Sequence, residues 1–463
     1  MRFHVVGIGG AGVSAVAQLL LASGHSVTGS DTTAEWPLAR VAARAGAVVF
    51  GGFDRRNVAG ADVVVRSAAY RDDHAEIAAA REAGIPVWRR QDAWRFLAEG
   101  KRVLAVAGTH GKTTTTGLAF AALRGGGLDP SLICGGELRD LGTNSHAGRD
   151  PVLVIEADEY DRAFLELAPE VALVTNVDHD HVDLFPTRDD YAGAFREFAA
   201  NVGPAGTLVV GLGHPTTDQF VAWARRELPG RRVLTYAFNR HQIDGHAEPD
   251  YELGGVSDDG ETTLTRVRGP SGQGVALRLR LPGSHNLMNA TGAVVAASAL
   301  GVPLDAAAEA VGHFAGTSRR LETLGTCGGI TVVDDYAHHP AEIRASIFAT
   351  RLRTLKMNKE RRLVAVFQPH TPSRLGAFFA DFVAALREAD SVVVVETFAS
   401  TRESADASGR ARELAERAGA QYAATNEEAA HVARSLAREG DAVLILGAGD
   451  VREAGERLLE LLR

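Results

Sequence analysis

Residues 103–117 read VLAVAGTHGKTTTTG, an apolar strand that runs into a glycine-rich turn, then a lysine, then four threonines opening a helix. Glycines let backbone N–H groups approach an anion closely, and the positive end of the helix dipole reinforces them. The segment therefore reads as a phosphate cradle at the carboxyl edge of a parallel sheet, which commits the chain to an α/β fold. Val106 stands where the generic pattern would place its first glycine, so the turn is the shorter G-T-H-G-K-T form. Only four of the 49 basic residues are lysines, and one of them is Lys112. A compact ammonium suits a triphosphate at that position, with the Thr113 hydroxyl placed for Mg²⁺.

At 463 residues the chain exceeds one ordinary core, and about three domains are expected. The net charge of -9 argues against a dedicated nucleic-acid or membrane-surface binder and favours small anionic ligands. Cys134 and Cys327 lack zinc-ligand spacing and read as small apolar residues in a reducing compartment. No apolar run reaches spanning length, and the N-terminus enters a strand without a cleavable leader, so a cytoplasmic location is expected.

Three segments follow. Residues 1–99 open with Gly7-x-Gly9-x-x-Gly12 between a strand and a helix, and a second strand ends at Asp31. That is a Rossmann-like unit in which Gly7 makes the turn, Gly9 admits a pyrophosphate and Gly12 allows the helix to pack on the strand, so that Gly9, Gly10, Ala11 and Gly12 form the candidate nucleotide-binding turn. Asp31 is placed to accept a ribose hydroxyl, and Ser67 forms a polar rim after the next strand. By itself this motif fits NAD, FAD or a nucleotide sugar. Residues 100–313 hold the phosphate cradle and two strands with acidic or histidine-bearing ends, VLVIEADEYD and VALVTNVDHDHVDLF. Glu156, Asp158, Glu159 and Asp161 at the first end and His179, Asp180, His181 and Asp183 at the second could complete a Mg²⁺ shell of one carboxylate, one threonine hydroxyl and one imidazole around a triphosphate, with a zinc site at His179-x-His181 as the alternative. Residues 203–281 read as short antiparallel strands. They lead to a loop with His285, Asn286 and Asn289, whose asparagines suit either an adenine edge or a helix cap. Residues 314–463 form a further α/β domain whose strand ends carry Asp335, Tyr336, His338, His339, His370 and Arg374. Arg319 and Arg320, met in isolation, read as a solvated pair.

The ordered motifs GIGGAG, GTHGKTTTT, EADEYD, TNVDHDH, HNLMN, GTSRR, DDYAHHP and FQPHTPSR resemble, from end to end, the Mur ligase family of ATP-dependent peptide-forming enzymes. The resemblance implies an N-terminal UDP-sugar domain, a central P-loop ATPase domain with a parallel sheet plus a small antiparallel one, and a Rossmann-like C-terminal domain closing over ATP and the amino acid. It is strongest to the branch that joins L-alanine to the lactyl carboxylate of UDP-N-acetylmuramate through an acyl phosphate, in peptidoglycan precursor synthesis. It implies ATP contacts at Gly108, Thr109, His110, Gly111, Lys112, Thr113, Thr114, Asn286, Asn289, Arg320 and Asp335. Tyr336, His370 and Arg374 would line the amino-acid pocket, and Thr113, Glu156 and His181 would hold Mg²⁺ or, in its place, Mn²⁺. Lys112, Arg320 and His370 would be catalytic, with His338 and His339 competing with His370 for the amine proton. The expected assembly is a monomer or homodimer, with small-molecule partners and neither nucleic acid nor membrane.

Two departures stand out. Several relatives carbamylate a lysine downstream of the metal histidine, whereas Arg196 occupies that region here and cannot form the adduct. Tyr160 stands where many alanine-adding members have serine, a form shared with the murein-tripeptide ligase of cell-wall recycling, which is the alternative reading. Outside this class, the first segment alone would suit a nicotinamide-dependent oxidoreductase, and the first two together a nucleotide-sensing protein.

Overall fold

The computed structural model describes residues 1–239, 248–259, 262–270, 272, 274–355, 358, 360–398 and 409–463. Part of the 203–281 stretch read as antiparallel strands, together with Lys356 and Lys359, lies outside them.

Three sheets organise the three-domain α/β chain among the described residues. The first has five parallel strands in the order Val48–Gly51, Ser26–Asp31, Arg2–Val6, Val63–Arg66, Val87–Arg89. Strand order reverses beside Arg2–Val6, so the glycine turn after it and Ser67 after Val63–Arg66 flank one crevice. The second sheet has ten strands, with the phosphate-loop strand Arg102–Ala107 between Val152–Glu156 and Val171–Val174, all three parallel. Their burial is nearly complete, as expected of strands covered on both faces. At one edge, Tyr251–Asp258, Thr263–Arg268 and Gly274–Leu279 pair antiparallel, as their alternation requires. The third sheet places Ile330–Asp335, Ala442–Leu446 and Leu363–Phe367 side by side and parallel, with Glu322–Cys327 antiparallel at its margin.

The apolar core is not divided equally. Phe3, Trp94 and Leu97 of the first domain and Ile133, Phe164 and Phe195 of the second belong to one continuous buried cluster. Asn144 adds polar ties, donating to the carbonyl of Ala11 at 2.7 Å and accepting from Gln18 at 3.1 Å. The third sheet packs its own helices in separate clusters. Polar bonds join it to the rest, among them Arg374 to Asp180 and His110 to Glu342. No helix among the described residues is long and apolar enough to cross a membrane. Cys134 is buried as expected, while Cys327 is only half-buried, with its thiol directed at the carbonyl of Leu462.

Candidate active site

The carboxyl edges of all three sheets face one cavity of about 1000 Å³. Its wall includes Gly9 to Gly12 and Ser67, then Lys112, Thr113, Glu156, Asp158 and His181, then Arg320, Tyr336, His338, Glu342, His370 and Arg374. Two smaller clefts, of about 570 and 430 Å³, are formed mainly by the antiparallel strands and carry none of these residues.

The phosphate loop is shaped by glycine where only glycine serves. Gly108 has φ +138°, and a Cβ there would lie 2.0 Å from the Thr175 hydroxyl. Gly111 caps helix Lys112–Gly125 at φ +81°, and a Cβ would meet the Asn289 amide at 2.6 Å. Thr109 is tied below to the Tyr191 hydroxyl at 2.9 Å, and Thr114 is buried behind the first turn. Lys112 folds onto its own loop, donating to the carbonyls of Gly108 at 2.6 Å and Thr109 at 3.1 Å and pairing with Glu159 at 2.9 Å. Burial works to lower the pKa of Lys112, but Glu159 and Asp158 outweigh it and raise it, so the ammonium stays charged.

Carboxylates gather beside it in two groups. Glu156 accepts from the Thr113 hydroxyl at 2.9 Å and from the Gly135 amide at 2.7 Å, and burial raises its pKa. Asp158, Glu159 and His181 offer ligand atoms that all lie within 4.8 Å of one another. Burial opposes ionisation of Asp158, yet Arg90, Lys112 and His181 hold it at about 2. His181 is pushed up, its burial outweighed by Glu159 and Asp180. The metal set read from sequence is thus divided: Thr113 and Glu156 form one pair, and His181 stands with Asp158 and Glu159. His179 turns away to the carbonyl of Phe185 at 2.8 Å, so the two imidazoles of His-x-His do not chelate together. Oxygen-rich donors beside a phosphate loop fit a hard divalent cation.

Backbone strain concentrates here. Of the five described non-glycine residues with positive φ, Asp161 (55°) and Arg162 (51°) follow the acidic run, His181 (51°) ends its loop, and Arg319 (59°) and Leu321 (48°) flank Arg320. Such conformations persist only where surrounding bonds over-determine them. Asp335 supplies two, accepting from the amides of Leu321 and Ala337 at 2.8 Å each. It therefore braces the turn that presents Arg320. Arg320 lies 5.4 Å from the Tyr336 ring centroid and faces Glu342 and Asp335. Arg319 is not solvated as its sequence suggests: its guanidinium donates to the carbonyls of Gly447 at 2.9 Å and Gly449 at 3.0 Å and to Asp334 at 3.3 Å.

Several other readings are refined. Asp31 sits beneath the first glycine turn, accepting from the amides of Gly9 and Thr32 at 2.8 Å each. Asn286 and Asn289 lie inside helix Ser284–Ala299, whose cap is Gly283, so neither caps it. Both are buried behind the phosphate loop. Arg374 is committed to Asp180 through two bonds of 2.9 and 3.1 Å, a buried pair joining the second and third domains. His370 stacks on Phe398 with centroids 5.5 Å apart. Burial lowers His338 and His339 to about 4, which makes them neutral and weak bases. Arg196 lies away from the cavity, pairing with Asp189 at 3.2 Å.

Sequence reasoning missed Glu342 and Arg90 as site residues, whereas Asp158 and Glu159, both among the strand-end carboxylates read as candidate Mg²⁺ ligands, are brought beside His181. Glu342 reaches across the domain boundary to His110 at 3.2 Å while capping its own helix. Its S/T-less capping box, His339 followed three residues later by Glu342, was the available signal.

This three-domain constellation matches the Mur ligase models in order: the catalytic domain over residues 2–102, the middle domain over 106–297 and the glutamate ligase domain over 319–449. The chain belongs to the Mur ligase family. Among its relatives, the UDP-N-acetylmuramate–L-alanine ligase of Roseiflexus sp. is 41% identical, covering 100% of this chain and 99% of its own length. That of Thermobifida fusca is 39% identical over 100% and 96%. The crystal structure of the UDP-N-acetylmuramate–alanine ligase from Thermotoga maritima superposes with a TM-score of 0.81 at 28% identity, covering 100% and 99% of the two chains.

Proposed function

We propose that this chain joins L-alanine to UDP-N-acetylmuramate at the expense of ATP, in peptidoglycan precursor synthesis. The observation that carries the reading is one cavity walled by a diphosphate-type glycine turn, a triphosphate-type loop and a third domain's arginine and histidine motifs. Full-length similarity to curated alanine ligases supports the choice of substrates. The boundaries near residues 99 and 313 fit a division into sugar, ATP and amino-acid domains, and a cytoplasmic site of action fits the substrates.

The lactyl carboxylate attacks the γ-phosphorus, the bond to ADP breaks, and the resulting acyl phosphate is attacked by the alanine amine with loss of phosphate. Carboxylate and triphosphate repel, so the main task is electrostatic. Lys112 is held charged at the cradle, and Arg320 approaches from the third domain on its braced turn. Thr113 and Glu156, with His181, Asp158 and Glu159 behind them, would hold Mg²⁺, which supplies neutralisation of the phosphate oxygens when bound. Asn289 packs against Gly111, where a side chain would not fit. The amine must be neutral to attack; with His338 and His339 poor bases, His370 is assigned the proton. Arg374 and Asp180 join the domains so that water is kept from the acyl phosphate.

The test is ADP formation with UDP-N-acetylmuramate and L-alanine supplied together, singly, or with alanine replaced by L-alanyl-γ-D-glutamyl-diaminopimelate. Turnover requiring both named substrates supports the reading. Activity only with the tripeptide would assign the chain to recycling instead.

A further inference from the structure

Arg90 opens helix Arg90–Ala98 and is the one cation that the N-terminal domain contributes to the cavity wall among the described residues. Its side chain lies directly over the first turn of helix Ala11–Ala22. A Cβ at Gly12 would fall 2.7 Å from its Cδ and 2.8 Å from Nη1, so the glycine there makes room for the arginine. That helix has no side-chain cap and no acidic residue in its first turn. Guanidinium and helix dipole therefore bracket the same space with the same sign.

The side chain is held in place rather than trailing in solvent. Its guanidinium carbon lies 4.5 Å from the centroid of the buried Trp94 ring, a cation–π contact that fixes its plane. One corner, Nη2, donates to Asp158 at 2.9 Å. Nε is buried and has no acceptor among the described residues. An arginine fixed on one corner and one face, with a donor left over, is arranged to take an oxyanion.

We propose that Arg90 binds the diphosphate of the UDP-sugar against the N-terminus of helix Ala11–Ala22. This rests on the reading of that cleft as the sugar-nucleotide site. A diphosphate diester brings two negative charges, more than the roughly half charge of a helix terminus offsets. Through Asp158 the same guanidinium touches the carboxylate group beside Lys112, so the arginine stands where the sugar end and the ATP end of the cavity meet.

Calorimetric titration of the full chain separates the possibilities. The ligands are UDP-N-acetylmuramate, UDP-N-acetylglucosamine, which has the diphosphate but no lactyl carboxylate, and ATP with Mg²⁺. Arg90→Met is expected to weaken both UDP-sugars about tenfold or more and to weaken ATP with Mg²⁺ far less, through Asp158 alone, with Arg90→Lys recovering part of the loss. Loss confined to UDP-N-acetylmuramate would move the contact to the lactyl carboxylate and overturn the proposal. So would unchanged UDP-sugar affinity, or an equal loss for ATP, which would mark a purely structural role. Failure of the wild-type chain to bind either UDP-sugar would instead overturn the reading of the site on which the proposal stands.

Discussion

Lys112 shows how one residue's environment sets its use. Its ammonium is held against Glu159 and two loop carbonyls, and the same charge is placed to meet a γ-phosphate once the nucleotide's oxygens compete for it. Lys112→Ala is expected to lower turnover at least about a hundredfold, since a contact to a moving phosphoryl group contributes a few kcal/mol. The fold should survive, because Glu159 keeps the Tyr191 hydroxyl at 3.2 Å and His181 at 3.3 Å. A purified variant with near wild-type turnover would remove Lys112 from the mechanism. Glu156→Gln keeps the shape and the Gly135 bond but deletes a negative charge, so half-maximal activity should require a higher Mg²⁺ concentration. An unchanged metal dependence would show that Glu156 does not contact the ion. The phosphate loop was legible in sequence because its requirement is local: glycines, a lysine and a helix start in one row. The division of labour within EADEYD was not. Four carboxylates in six residues look alike until the positive-φ turn at Asp161 and Arg162 decides which of them face the cavity. Arg90 was hidden for a related reason, as one arginine among many whose meaning lies in Gly12, far away in sequence.

Helix Arg188–Ala200 covers the region where the family resemblance implies a carbamylated lysine in several relatives, and Arg196 stands there instead. Arg196 pairs with Asp189 on the same helix, while Tyr191, one and a half turns earlier, points inward to Glu159. The buried Glu159 carboxylate already stands beside Lys112 and His181, and no carbamate is needed to bring negative charge there. Activity measured in buffer stripped of CO₂ should therefore not rise when bicarbonate is restored at fixed pH; a marked recovery would mean that another residue forms the adduct. Helix Pro340–Arg353 makes a second prediction. His339 caps it, and His338 packs beside it, both with pKa lowered by burial to about 4 from 6.5. The folded state then binds fewer protons than the unfolded one between these values. Their contribution is complete above about pH 6.5 and is lost as pH falls towards 4, at most about 3 kcal/mol per imidazole. Chemical denaturation followed across that window should show the fall, and His339→Asn, which keeps a capping side chain without the titration, should flatten it. An identical pH dependence in the variant would contradict the assignment. The strands and helices themselves were readable from periodicity. The N-cap role of Gly283 was not, because capping depends on where the chain enters the helix.

At the scale of the whole molecule, two domains share one core and the third is tied on by polar contacts, of which Arg374 with Asp180 and Glu342 with His110 cross the cavity. That division was invisible in sequence, where all three segments have the same α/β pattern; it depends on which apolar faces meet. It also suits the proposed chemistry, since a third domain closing over the cavity would protect an acyl phosphate from water. In the proposed reaction the lactyl carboxylate itself receives the phosphoryl group inside this cavity. UDP-N-acetylmuramate labelled with ¹⁸O in both lactyl carboxylate oxygens tests it directly, with the phosphate and the alanylated product analysed by mass spectrometry after a single incubation with ATP and L-alanine. One ¹⁸O atom is expected in each released phosphate and one retained in each new amide. Unlabelled phosphate alongside ADP formation would mean that water, not the sugar carboxylate, takes the phosphoryl group.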